Sequence, residues 1–215
     1  MKTQSGLEKG PDNKQRCWWC LGSADYLTYH DNDWGYPVTD DFRLFEKLSL
    51  EGFQAGLSWL TILRKRENFR KAFAHFEYPV IARYRKQRVE TLLKNSGIVR
   101  HRGKIEAVFH NAKQACKLAD EYGSLAAYIW QFEPTKEARP KRIDLSTVSE
   151  LTMTPESHAL SRDLRKRGWK FVGPTTMYAF MQAMGLVNDH LHGCVIRGQV
   201  ERSRRAFSPP PSLPT

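Results

Sequence analysis

The segment DHLHGC, Asp189 to Cys194, places two histidines and a cysteine within six residues. His190 and Cys194 are four apart, the spacing that sets two side chains on one helix face, and imidazole nitrogen with thiolate sulfur suits zinc. A tetrahedral ion needs two more donors, and no His or Cys follows Cys194. Upstream, RCWWCLGSADYLTYHDNDWGYP offers Cys17, Cys20 and His30. Cys17 with His30, or Cys17 with Cys20 in C-x-x-C spacing, completes the set, and spacing alone leaves both open. Reduced core cysteines and ordinary histidines are the competing structural reading. Four protein ligands would leave no position for an activated water, so such a site would be structural and would tie the two ends of the chain together.

The same upstream segment is dense in aromatics: Trp18, Trp19, Tyr26, Tyr29, Trp34 and Tyr36 fall within 19 residues. Irregularly spaced aromatics usually belong to a core. Here Asp31, Asn32 and Asp33 lie among them, which fits a pocket with a polar rim. Glu51 precedes GFQAGLSW and is either an exposed charge at a helix end or a buried hydrogen-bond acceptor.

Charge points to a polyanion. Thirty-four Lys and Arg against 23 Asp and Glu give a net charge of +11. From Arg64 to Lys104 there are 13 basic residues and three acidic ones (Glu67, Glu77, Glu90), either a solvated helical surface or a phosphate-facing one. In RKRGWKFVGPTTMYAFMQAMG a helix is expected to end at Gly168, a four-residue turn to reach Gly173, and a second helix to start at Pro174 and Thr175. Glycines permit close backbone approach to a phosphate, and the N–H groups opening the second helix favour an anion. Lys166, Arg167 and Lys170 add charge around the turn.

The elements that would hold these residues are helical by period, and the fold class expected is all-α. DDFRLFEKLSLEGFQAG follows Thr39 as cap and sets Phe42, Phe45 and Leu48 on one stripe; SWLTILRKRENFRKAFAHF, capped by Ser58, repeats the pattern. Further helices are expected at about 79 to 95, 101 to 121 and 124 to 132, with an irregular loop at about 133 to 153. Thr154 and Pro155 open another helix. Residues 1–15 and the Pro-rich 201–215 read as disordered ends around one domain, 16–200, with room for a second lobe. Four cysteines are too few for a disulfide framework, so a reducing cytoplasm is expected. No apolar run approaches the roughly 18 residues of a spanning helix.

RCWW at 16, YHDNDWG at 29, LEGFQAGLSWLTILRKRENFRKAF at 50, IVRHRGKIEAV at 98, RKRGWKFVGPTTMYAFMQAMGLVNDH at 165 and Cys194 resemble bacterial 3-methyladenine DNA glycosylase I, collinearly from about residue 16 to 195. The resemblance implies a helix-hairpin-helix DNA glycosylase fold with one structural zinc linking the N- and C-terminal segments, and no organic cofactor. It puts the ligands at Cys17, His30, His190 and Cys194, leaving Cys20, Cys116 and His192 without a metal role. It implies a base pocket of Glu51, Tyr29 and Trp59, walled by Tyr26, Trp19 and Trp34. Gly56 and Leu57 would form the wedge filling the gap left by an extracted nucleotide, and the turn from Gly168 through Lys170 to Gly173, with Thr175, the phosphate contact. Phe53 replaces a polar residue of some relatives, and would either alter the pocket floor or be neutral packing. Asp189 lies nearest the catalytic aspartate of related glycosylases and reads as a support for His190 or a cap.

The implied activity is base-excision repair by a monofunctional, monomeric bacterial enzyme of the cytoplasm. It would hydrolyse the N-glycosidic bond of 3-methyladenine in double-stranded alkylated DNA and leave an abasic site. No lysine follows the hairpin to form a Schiff base, so strand cutting is not expected. A non-catalytic zinc-stabilised DNA-binding module is the rival, but it has no use for Glu51 among aromatics. A zinc hydrolase would need an open metal position.

Overall fold

The computed structural model describes residues 5–211 and 213. The chain begins with two short strands, β1 (Leu7–Lys9) and β2 (Gln15–Cys17), paired antiparallel with Leu7 opposite Cys17. Helices follow: α1 (Ala24–Asn32), α2 (Asp41–Gln54), α3 (Trp59–Arg64), α4 (Arg66–Ala72), α5 (Tyr78–Ile81), α6 (Gln87–Leu93) and α7 (Arg102–Tyr122). After these come α8 (Leu125–Ile129), α9 (Leu145–Glu150), α10 (Pro155–Lys166), α11 (Pro174–Ala183) and α12 (Arg197–Ala206).

Long α7 is the spine. Its buried Ile105, Val108, Ala112, Ala115 and Leu118 recur at the three-to-four spacing of one helix face. It ends at Gly123, whose φ of 89° is the left-handed conformation a helix stop favours. Against α7 lies α2, buried from Leu44 to Phe53, and α11 packs on the other side of α2. Phe45, Phe53, Phe69, Phe73 and Phe76 interlock in the core between them.

Several local expectations are corrected. Asp40 caps α2 in place of Thr39, because its carboxylate accepts from the Arg43 N–H. The helix after Ser58 breaks at Lys65 into α3 and α4, and the 79 to 95 segment divides into α5 and α6. The loop at 133 to 153 holds α9, capped by Asp144. Thr154 and Pro155 open α10 as expected, through a capping box with Ser157.

The ends differ more. Residues 5–15, expected disordered, carry β1 and the turn into β2, and Trp18 N–H donates to the Gly6 carbonyl at 2.9 Å. These two strands also qualify the all-α expectation. The domain continues past residue 200: α12 runs to Ala206, Phe207 packs on Trp130 with ring centroids 4.3 Å apart, and Leu213 N–H donates to the Tyr122 carbonyl. Composition suggested free ends because polar and proline-rich stretches cannot form a core of their own. They fold here by packing on surfaces built elsewhere. Of the expected extension and tail, residues 1–4, 212, 214 and 215 lie outside the described residues.

Candidate active site

Helix α1 carries Tyr26, Tyr29 and His30 at three-to-four spacing, so one helix serves two neighbouring sites. The Tyr26 hydroxyl accepts the Leu60 N–H at 3.0 Å, fastening the start of α3 and thereby Trp59. Ser58 caps that helix. Tyr29 and Trp59 lie with ring centroids 5.4 Å apart. Glu51 comes from the last turn of α2 and is 6% exposed. Trp19 packs edge-on against Tyr26 and Trp34. Tyr26, Tyr29, Trp59, Trp19, Trp34 and Glu51 all line one cavity of about 350 Å³, the size of a small-ligand site.

One cavity residue escaped the sequence reading. Lys47, one turn before Glu51 on α2, is 5% exposed, and its ammonium lies 2.7 Å from the Glu51 carboxylate. It donates to the Tyr29 hydroxyl at 3.0 Å and stands 3.3 Å from the centroid of a Trp59 ring. Burial outweighs the attraction of Glu51 and holds Lys47 below the ordinary lysine range. Burial, then Glu51, pushes the Tyr29 hydroxyl well above the tyrosine range, so Tyr29 stays protonated. The signal in the sequence was the Lys–Glu pair four apart on a helix.

Asp189 also lines the cavity, at 3% exposure. Its carboxylate binds Arg139 and accepts from the Tyr178 hydroxyl at 2.6 Å and from the Gln182 amide at 2.9 Å. It therefore anchors α11 to the 133–144 segment, which replaces its reading as a cap or a support for His190. Phe53 does not reach the cavity. It is 1% exposed and packs on Phe69 with centroids 4.6 Å apart, so it belongs to the core.

Behind Trp19 and Trp34, ligand atoms of Cys17, His30 and Cys194 converge within 4.8 Å of one another, all buried. These residues could hold a metal ion. His30 Nδ1 is 2.8 Å from Asp31, which Arg16 holds in turn, leaving Nε2 facing the Cys194 sulfur at 3.6 Å. The hydrogen bond from Cys17, and His30 after it, draws Cys194 down to about 4 against the opposing burial. The same contact pushes the Cys17 thiol up, so the two sulfurs share one proton. His190 stands beside the group, its ring centroid 4.6 Å from that of His30, with Nδ1 2.9 Å from Asn188. Burial lowers its pKa to about 4, keeping the imidazole neutral. The three-residue group does not include Cys20, whose thiol donates to the Cys17 carbonyl at 3.1 Å. His192 Nδ1 lies 2.8 Å from the Ile143 amide nitrogen.

Gly56 and Leu57 cap the loop between α2 and α3. Gly56 has φ 81°, and Leu57 is an apolar side chain left 42% exposed. Lys104 of α7 donates to the Phe53 and Ala55 carbonyls and fixes the approach to that loop. The turn joining α10 to α11 is pinned to α7 by Asn111, which exchanges two hydrogen bonds with the Lys170 backbone, and by His110 at the Gly168 carbonyl. Gly168 adopts φ 86°, while Lys170 and Thr175 face solvent. Only part of the basic stretch is free to face a polyanion. Arg66, Arg70 and Arg102 pair with Asp33, Glu46 and Glu90. Arg83, Arg85, Lys86 and Arg100 remain on the surface.

The chain is similar to known proteins over most of its length. Residues 19–197 match the methyladenine glycosylase family model. DNA-3-methyladenine glycosylase 1 of Escherichia coli is 46% identical over 181 residues, covering 84% of this chain and 95% of that protein. The DNA-3-methyladenine glycosylase of Haemophilus influenzae is 45% identical, covering 83% and 96%. A crystal structure of 3-methyladenine DNA glycosylase I superposes with TM-score 0.76 at 47% identity, over 84% of this chain and 98% of that one. The Staphylococcus aureus 3-methyladenine DNA glycosylase I, solved for its recognition of 3-methyladenine, gives 0.79 at 36% identity, over 85% and 96%. On the agreement of family model, sequence identity and tertiary structure, the chain belongs to the methyladenine glycosylase family.

Proposed function

We propose that this protein excises 3-methyladenine from alkylated duplex DNA by hydrolysing its N-glycosidic bond, leaving an abasic site. The observation that carries the reading is a buried cage built to hold a cation: carboxylate Glu51, indole Trp59 and hydroxyl Tyr29 converge in a cavity of purine size. Adenine methylated at N3 in DNA is cationic. When its bond to the sugar breaks, the base takes the bonding electron pair and leaves neutral, while water adds to the anomeric carbon and gives up one proton to solvent. So good a leaving group needs little acid catalysis, and the protein's task is extraction, selection and orientation. An indole face favours a cation over a neutral ring by about 0.5 to 2 kcal/mol, more where water is excluded. Glu51 accepts from the exocyclic amine and attracts the charged ring. Tyr29, kept protonated, orients the base, and Trp19, Tyr26 and Trp34 wall it.

Leu57 on its Gly56 turn suits a wedge for the vacated stack, and α10 with α11 suits a helix-hairpin-helix whose exposed Gly168, Lys170 and Thr175, with half-buried Gly173, meet phosphate. Cys17, His30, Cys194 and adjacent His190 have the donor chemistry of structural zinc, and Asp31 behind His30 is the partner such a ligand takes. The ion would tie the chain ends together and take no part in breaking the bond. The enzyme works as a monomer in the bacterial cytoplasm.

The test is single-turnover release of free base from methylated duplex DNA. Glu51→Gln should lose roughly 30-fold, about 2 kcal/mol, and Trp59→Ala at least about tenfold. Full activity in both folded variants would refute the pocket assignment. Binding without base release by the parent protein would instead favour a non-catalytic DNA-binding module.

A further inference from the structure

We propose that Lys47 is a specificity-determining residue: its ammonium is the resident cation of the base cage, and a lesion base replaces it charge for charge. The proposal rests on the assignment of the cavity to the base. Lys47 meets the three groups that would grip a cationic purine, at 2.7 Å from Glu51, 3.0 Å from Tyr29 and 3.3 Å from the Trp59 ring centroid. A cationic ring brought against Glu51 and Trp59 meets a like charge for as long as Lys47 stays protonated. The other charged groups facing Lys47 offer it no second berth. Glu46 on its own helix is held by Arg70, and Asp33 beyond α1 by Arg43 and Arg66. Across the cavity Asp189 is held by Arg139.

With its side chain 7% exposed, Lys47 cannot carry its charge into water without leaving the packed face of α2. It yields the charge instead. The proton passes to solvent, and the neutral amine accepts a hydrogen bond from the Tyr29 hydroxyl, reversing the direction of the existing one. Burial already holds this lysine below the ordinary range, which lowers the cost of the step. Discrimination follows from charge balance. A cationic base restores the partner that Glu51 loses, whereas a neutral adenine would leave a buried carboxylate unpaired, a costly state.

Excision of 3-methyladenine from duplex DNA, measured as kcat/KM from about pH 6 up to the ordinary lysine range at about pH 10, decides the matter. The parent protein should rise with pH by roughly tenfold per unit and then level off, since one proton must leave the free enzyme before the base can bind. Lys47→Met should remove the rise and be the faster enzyme at the acidic end. Lys47→Arg, charged throughout, should stay slow at every pH. Melting temperatures establish which variants are folded, and Lys47→Gln carries the comparison if Lys47→Met is not. A flat parent profile, a rise that persists without the lysine, or a folded Lys47→Met slower than the parent at all pH would each overturn the proposal. If Glu51→Gln and Trp59→Ala lose excision while Lys47→Met keeps the parent profile, the base pocket stands and only the role of Lys47 falls.

Discussion

Glu51, Trp59 and Tyr29 occupy three different helices, and the backbones that carry Trp59 and Glu51 are set by contacts outside the cage. Trp59 depends on the Tyr26 hydroxyl and the Ser58 cap, and Glu51 on the rigidity of the buried last turn of α2. A pocket with its walls fixed beforehand loses little binding energy to ordering them. Asp189 presents the opposite case, a carboxylate in the cavity whose oxygens are already taken by Arg139, Tyr178 and Gln182. Asp189→Asn should therefore keep most of the excision rate in single-turnover assays while lowering stability by about 2 kcal/mol in denaturant titration, as expected for loss of a buried ionic partner. The reverse pattern would give Asp189 a part in the chemistry. Tyr29 and Glu51 were singled out in the sequence by the family resemblance, while the neighbours of Glu51 left its burial open. Lys47 was not, because a lysine four residues before a glutamate is the ordinary pattern of an exposed helix face, and only packing shows that this face is enclosed.

Two connections set the helices in working order. After α11 the chain turns at Gly185, with φ 79°, and a Cβ there would lie 2.4 Å from backbone atoms of Tyr36 and Pro37. Neither backbone can give way easily, since the Val38 N–H donates to the Met184 carbonyl in the same crossing. Gly185→Ala should cost about 3 kcal/mol or more, read as a fall in melting temperature with loss of excision. The Gly56–Leu57 turn is the other connection, and here the adjacent surface is open. Leu57→Ala should leave the melting temperature unchanged and reduce excision from duplex DNA by about tenfold, with a smaller loss on single-stranded alkylated DNA, where no stack has to be filled. Equal losses on both substrates would remove the wedge role. The helix periods and the caps at Ser58 and Thr154 could be read ahead of the structure because they are local signals. The breaks at Lys65 and between α5 and α6 could not, since apolar spacing continues across them and tertiary packing makes the bend.

At the scale of the whole molecule, the first and last described segments are woven together. β2 meets the 191–195 segment through the bond from Val195 N–H to the Gln15 carbonyl. A small apolar cluster joins Cys17, Leu191, Cys194, Ile196 and Val200. The metal-capable group lies within this junction, so an ion there would reinforce a tie that packing already makes. Exhaustive chelation, or Cys194→Ser, should lower the melting temperature by roughly 5 to 10 °C, a change of a few kcal/mol, without abolishing the helical far-UV signal. Elemental analysis of the purified protein should find one zinc per chain. No change in melting on chelation, with no bound metal, would leave the group as packed thiols and imidazole. Among the described residues no helix is long and apolar enough to cross a membrane.

Residue types and their order along the chain determined that this protein is mostly helical and which family it resembles, because helix periods, caps and long collinear motifs are properties of the covalent chain. Tertiary structure alone decided that Lys47 lies in the cage with Glu51, that Phe53 belongs to the core, that Cys20 stands outside the group formed by Cys17, His30 and Cys194, and that Arg66 and Arg70 of the basic stretch are paired with carboxylates. Each of these depends on which faces are buried against which. That is a balance among residues far apart in the chain, and only the folded packing resolves it.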